Sequence, residues 1–168
     1  MTPATVSTPS DREVLVQRSF DAPVNLLWKA YTEPALMRRW LAGYPGWSMP
    51  ICEMEVHIGG KYRWQWRNDE NSQEFGFSGE FLEVVTHSKI VHTQTFEAGN
   101  LGVSMGQEGT IVTVTFSESN GVTNVTTNIR YASKADRDAS LSTGMTDGME
   151  ANYNLLEKVL ASDMATQD

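Results

Sequence analysis

Ile58-Gly-Gly-Lys-Tyr-Arg-Trp-Gln-Trp66 is the stretch whose reading decides the fold. A Gly-Gly pair turns the backbone, and strict alternation follows it. Tyr62, Trp64 and Trp66 fall on one face, while Lys61, Arg63, Gln65 and Arg67 fall on the other. That period-two pattern marks a half-buried strand. Three large aromatics in a row on one side of a sheet need either a partner that covers them or a cavity that they line.

Outward from this strand the pattern repeats. Strands are expected over 13–20, 51–58, 60–68, 74–86, 88–97, 110–118 and 121–131, with hairpin turns at 68–73, 86–88 and 119–121. Asp21-Ala-Pro23 is a helix-start signal. Leu27, Trp28 and Tyr31 then give a short helix an apolar stripe, and Glu33-Pro34 begins a second one carrying Leu36, Met37, Trp40 and Leu41. Residues 42–50 are rich in glycine and proline and predict a loop, as does the glycine-rich link 98–109. From Ala135 to Leu160 apolar residues recur at helical spacing, which predicts one long amphipathic helix. Strands grouped between short helices and a long terminal one imply an α+β fold with a curved antiparallel sheet of six to seven strands gripping the last helix. Residues 1–11 are expected to be a disordered lead, 12–162 a single domain and 163–168 a tail.

The chain has 168 residues with a formal net charge of −8, which disfavours nucleic acid as a partner. It carries no apolar run long enough for a membrane span and no signal-peptide pattern. A single cysteine, Cys52, fits a reducing compartment, and a cytoplasmic location is expected. Cys52 lies in an expected strand as a buried structural thiol. The three histidines show no metal-ligand spacing, and no nucleophile or phosphate-loop motif occurs, so neither a metal nor a cofactor is expected.

Several further pieces are familiar in combination: Phe20-Asp-Ala-Pro-Val, Thr32-Glu-Pro, Arg39-Trp40, Glu55-Val-His-Ile-Gly-Gly-Lys-Tyr-Arg, Gly79-Glu-Phe-Leu-Glu-Val, Lys89-Ile-Val-His-Thr, Gly144-Met-Thr-Asp-Gly-Met and Leu155-Leu-Glu-Lys-Val-Leu160. In this order, over about residues 13 to 160, they resemble the START/Bet v 1-like (SRPBCC, helix-grip) superfamily. Within it, they resemble the family named after the C-terminal domain of the activator of heat-shock protein 90 ATPase. The resemblance implies a ligand space between sheet and last helix. The chain departs from the family pattern in having Glu55 for an aspartate, His57 for an arginine and Met149 for a tryptophan. It also has His92 and Gln94 where an aromatic pair is favoured.

By parity with Ile90 and Phe96, His92 and Gln94 share a face that the resemblance turns inward. Buried and unsatisfied, each would cost about 1–3 kcal/mol. Either protein groups such as Thr127 or internal water satisfy them, or they anchor the polar end of a ligand. Tyr62, Trp64, Trp66, Phe75, Phe77 and Phe81 form an aromatic wall, as core, as pocket, or as both at opposite ends. Met145, Met149 and Asn152 share the inward face of the last helix, where Gly144 and Gly148 imply close approach or space, each at about 1 kcal/mol against alanine. Trp28 and Trp40 are expected in the core, and Trp47, in the loop, as a lid or contact residue. Glu55 and His57 are expected on the solvent face, with an acid/base pair as the other reading.

Three functions compete. The first is a protein binding a small apolar or amphipathic molecule. The second is an enzyme of cyclase or hydrolase type with His92 as acid/base, although no catalytic motif supports it. The third is a co-chaperone-like interaction module using the acidic surface. A homodimer is compatible with the sequence.

Overall fold

The computed structural model describes residues 3–41, 46–97 and 109–165. These residues form one eight-stranded antiparallel sheet and four helices. In chain order the elements are β1 (Thr5–Ser7), β2 (Glu13–Phe20), α1 (Val24–Thr32), α2 (Pro34–Leu41), β3 (Trp47–Met54), β4 (Lys61–Asn68), β5 (Glu74–Val85), β6 (Lys89–Glu97), β7 (Thr110–Ser119), β8 (Val122–Arg130), α3 (Lys134–Leu141) and α4 (Met145–Ala165). The sheet order is β1-β2-β8-β7-β6-β5-β4-β3. Strands β3 through β8 neighbour one another in sequence order, and α1 and α2 carry the chain from β2 across to the far edge at β3.

The α+β architecture agrees with the sequence reading, with three corrections. The sheet has eight strands rather than six or seven. The additional one, β1, comes from the segment expected to be a disordered lead and pairs Thr5 with Gln17 and Ser7 with Leu15. Second, the expected helix over 135–160 is two helices. The chain turns at Ser142–Gly144, where Gly144 has φ +78°, and α4 then continues to Ala165. Gly144 is therefore a left-handed turn residue, which glycine adopts without strain. Third, Trp47 is not in a loop but opens β3, opposite Asn68 of β4.

Alternation decides what the sheet buries. Val14, Val16 and Phe20 of β2, Tyr62 and Trp66 of β4, Ile90 and His92 of β6, Val112, Val114 and Phe116 of β7 and Val125 and Ile129 of β8 all point inward and are buried. Leu26, Leu27 and Ala30 of α1, Met37 and Trp40 of α2 and Tyr153, Leu156, Val159 and Leu160 of α4 close the other side. The core divides. The larger cluster gathers β2, β7, β8, α1 and α4 with Trp40, Tyr62, Phe81 and Ile90, whereas Trp66 packs with Met37, Met49 and Cys52 in a smaller one beside α2 and β3. The Cys52 thiol donates to the Pro34 carbonyl (3.8 Å), and burial raises its pKa, as a structural thiol requires.

The two glycines before the aromatic strand do different work. Gly59 has φ +85° with nothing near where a Cβ would stand. Gly60 instead lies so close to the Glu55 carbonyl that a Cβ would collide with it. Their amides and carbonyls tie the turn to β5, Gly59 N–H donating to the Phe81 carbonyl and Phe81 N–H to that of Gly60 (both 2.8 Å). Gly59→Ala is accordingly expected to lower stability by about 1 kcal/mol. Gly60→Ala should cost about 3 kcal/mol or more, because backbone must move. Urea unfolding of both variants checks the order; equal losses would show that the contact at Gly60 does not constrain the turn.

Candidate functional site

Between the sheet and the helices lies a cavity of about 620 Å³. Trp64 and Trp66 of β4, Phe75, Phe77 and Phe81 of β5, and Ile90, His92, Gln94 and Phe96 of β6 form its floor. Val112, Val114, Thr127 and Ile129 extend that floor across β7 and β8. Its roof is Tyr31 of α1, Met37, Trp40 and Leu41 of α2, and Met145, Gly148, Met149, Asn152 and Tyr153 of α4. Thr143 and Gly144 of the α3–α4 turn are solvent-exposed and also line it, so the cavity reaches the surface beside that turn. Trp47 and Met54 of β3 flank the other side.

Sheet register builds the aromatic floor. Trp64 stands opposite Phe77, and Trp66 opposite Phe75, with the latter pair of rings stacked at 5.3 Å. Tyr62 faces Gly79, which has no side chain, and its hydroxyl reaches across β5 to donate to the Thr93 carbonyl at 2.6 Å. On β6, His92 lies between Phe81 of β5 and Val112 of β7. Its ring is packed edge-on by Tyr62 (4.8 Å), Trp64 (5.9 Å) and Phe81 (6.0 Å).

His92 is 5% exposed, and its Nδ1 lies 2.9 Å from the Thr93 carbonyl. A carbonyl only accepts, so the proton sits on Nδ1 and Nε2 is left as an acceptor. Burial pushes the imidazole pKa down to about 4, with the Thr93 contact acting the other way. His92 is thus neutral near pH 7. Deeper in, burial raises the pKa of the Tyr31 and Tyr153 hydroxyls. The Tyr131 hydroxyl donates to the Met145 sulfur at 3.4 Å. In the lining, the Tyr31 hydroxyl, Trp64 Nε1 and Asn152 Oδ1 are buried with no hydrogen-bond partner among the described residues. Each such group costs about 1–3 kcal/mol when left unsatisfied.

The structure places all ten residues singled out in the sequence, Trp64, Trp66, Phe77, Phe81, His92, Gln94, Thr127, Met145, Met149 and Asn152, around this one cavity. Trp47 joins them from β3. Trp40 is buried, its indole N–H donating to the Ala30 carbonyl (2.9 Å), yet it lines the cavity too. Glu55 and His57 stand apart, 3.7 Å from each other and more than half exposed. Sequence reasoning missed Tyr31, Phe96, Ile129, Tyr131 and Tyr153. The parity of β6 and β8 carries that information for Phe96 and Ile129, whereas nothing local distinguishes Tyr31 from a core aromatic.

Among the described residues no group of three or more His, Cys, Asp or Glu side chains comes together, and no helix is long and apolar enough to cross a membrane.

Comparison with known proteins gives the fold a context. The family model described as activator of Hsp90 ATPase homolog 1-like protein matches residues 21–161. A crystal structure from Rhodobacter sphaeroides is 28% identical with a TM-score of 0.83, covering 95% of this chain and 98% of its own. The Mycobacterium smegmatis protein Ms6760 superimposes with a TM-score of 0.81 at 20% identity, covering 94% and 97%. An AHSA1-like protein from Aeromonas hydrophila gives 0.66 at 16% identity, covering 92% and 96%. The last two likenesses concern fold alone. No match is found among curated proteins.

His92 predicts a pH dependence. Unfolded, it protonates near pH 6.5; folded, only near pH 4. Between these values the unfolded chain holds more protons, so stability present above pH 6.5 is lost as pH falls toward 4, by on the order of 3 kcal/mol in total. Urea unfolding from pH 7 to pH 4.5 is expected to show a shallower decline for His92→Phe than for the natural protein. Parallel declines would mean that His92 titrates as an ordinary histidine.

Proposed function

The chain belongs to the activator of Hsp90 ATPase homolog 1-like family, part of the SRPBCC superfamily, and we propose that it binds a small apolar or amphipathic molecule between its sheet and α4. The carrying observation is the cavity itself. At about 620 Å³ it falls within the range of small-molecule sites, and its wall combines aromatic and aliphatic side chains with a few convergent polar groups. A core of this size would ordinarily be filled to crystal-like density. Here β4, β5 and β6 present six inward aromatic rings, those of Trp64, Trp66, Phe75, Phe77, Phe81 and Phe96, to open space.

An enzyme acting on an aromatic or lipid-like substrate draws less support from the same wall. Its acid would have to be His92, and burial keeps that imidazole unprotonated near neutrality. The flexible methionines 145 and 149 suit a site that adapts to ligand shape.

Nile red, an uncharged dye that brightens in apolar surroundings, tests the proposal. It is expected to bind one molecule per chain with micromolar affinity. Met149→Trp, which fills the cavity from α4, should weaken binding at least about tenfold while far-ultraviolet dichroism stays unchanged; a core overpacking cost of about 1–3 kcal/mol is tolerable for that comparison. Failure of Nile red to bind the natural protein would overturn the reading.

A further inference from the structure

The cavity wall has a property that size and hydrophobicity do not imply. Among the described residues that line it there is no aspartate, glutamate, lysine or arginine. The chain has 34 such residues, 13 basic and 21 acidic, and the sheet and helices turn every described one away from this space. Arg18, the buried arginine, is consumed elsewhere, by Glu150, Asn154 and Glu157 of α4. A charged ligand group would shed its hydration on entry and meet no counter-charge, and burying an unpaired ion is among the most unfavourable steps in protein chemistry.

His92 places an acceptor at the centre of the floor, beside the unpartnered indole N–H of Trp64. Its Nδ1–H is committed to the Thr93 carbonyl, and among the described residues nothing donates to Nε2. An acceptor and an unpartnered indole donor on one floor call for a ligand group that donates and can also accept, as a hydroxyl does. We infer that the cavity takes an uncharged molecule whose polar end is a hydroxyl donating to His92 Nε2, an inference that rests on the binding function proposed above. A carboxylate is a poor substitute, because it would first have to protonate His92. With a pKa of about 4, that costs a factor of about a thousand at pH 7 before any pairing is gained. An ammonium could donate, but would bring an uncompensated charge. An ether keeps the acceptor oxygen of a hydroxyl and lacks the proton.

Four naphthalenes that differ in one substituent separate these cases by competition with bound Nile red at pH 7: 2-naphthol, 2-methoxynaphthalene, 2-naphthoate and 2-(aminomethyl)naphthalene. The naphthol is expected to bind about three- to tenfold more tightly than the methyl ether, the margin of one neutral hydrogen bond. The naphthoate and the ammonium should bind at least about a hundredfold more weakly than the naphthol. In His92→Phe the preference for naphthol over ether should vanish, and in His92→Gln, which keeps an acceptor, part of it should remain. If His92→Phe does not fold, the ranking on the natural protein decides alone. Naphthoate or ammonium binding as tightly as naphthol overturns the inference, as does an ether bound equally well, while leaving the binding function standing. The inference fails in the same way if Nile red binds and neither neutral naphthalene displaces it. If Nile red itself does not bind, the binding function falls and takes this inference with it.

Discussion

One buried guanidinium sets where the last helix lies, and the cavity follows from that placement. Arg18 points inward from β2 with its side chain 1% exposed. It donates to the Ser19 carbonyl (2.8 Å), to Glu157 (3.3 Å) and to Asn154 (3.3 Å), lies 3.8 Å from Glu150, and stacks over the Phe20 ring. Residues 150, 154 and 157 occupy one face of α4 over two turns, so the contact fixes the helix in rotation as well as position. Glu150 also accepts from the Ala4 amide, which brings the start of the chain into the same node. Buried ion pairs often contribute little net stability against apolar replacements. What this one supplies is geometry, since its directional contacts with residues 150, 154 and 157 tie one face of α4 to β2.

Held near β2 and β8, α4 packs Tyr153, Leu156 and Leu160 into the larger core. Over β4, β5 and β6 it roofs open space through Met145, Met149 and Asn152. Trp66 finds cover from Met37 and Met49, and its indole N–H donates to the Leu41 carbonyl, so the smaller cluster closes one end. Trp64, Phe77 and His92 lie between the two clusters. The open volume lies where these two clusters meet, bordered by Trp64 and Phe77, which pack against both.

Much of this was legible in the sequence because it depends on parity. Tyr62-x-Trp-x-Trp66 and Ile90-x-His-x-Gln-x-Phe96 assign faces without any knowledge of partners, since a strand has only two. The inward face of α4 was legible for the same reason, at helical period. What escaped was set by contacts distant in sequence. The strand at Thr5–Ser7 is three residues long and has no signal of its own; it exists because β2 offers an edge and Glu150 captures Ala4. The break at Gly144 was hidden because apolar residues continue at helical spacing on both sides. That open space separates the last helix from Trp64 and Trp66 could not be read from either segment alone, because it depends on how elements distant in sequence pack.

The departures from the family pattern acquire a physical sense here. An aromatic pair on β6 would fill the centre of the floor with carbon. His92 and Gln94 instead put nitrogen and oxygen there, inside a ring of Tyr62, Trp64 and Phe81. Such a substitution is destabilising unless the polar atoms are satisfied, and half of the imidazole is: Nδ1 has its carbonyl, supplied by a backbone that Tyr62 also holds. The tyrosine hydroxyl and the imidazole N–H share Thr93, so the carbonyl is saturated and the ring is locked in one tautomer. Fold and family leave the contents of the cavity open, since one fold hosts many functions and the site alone decides among them. The lining residues narrow them, and the most selective is a neutral histidine whose remaining nitrogen can only accept.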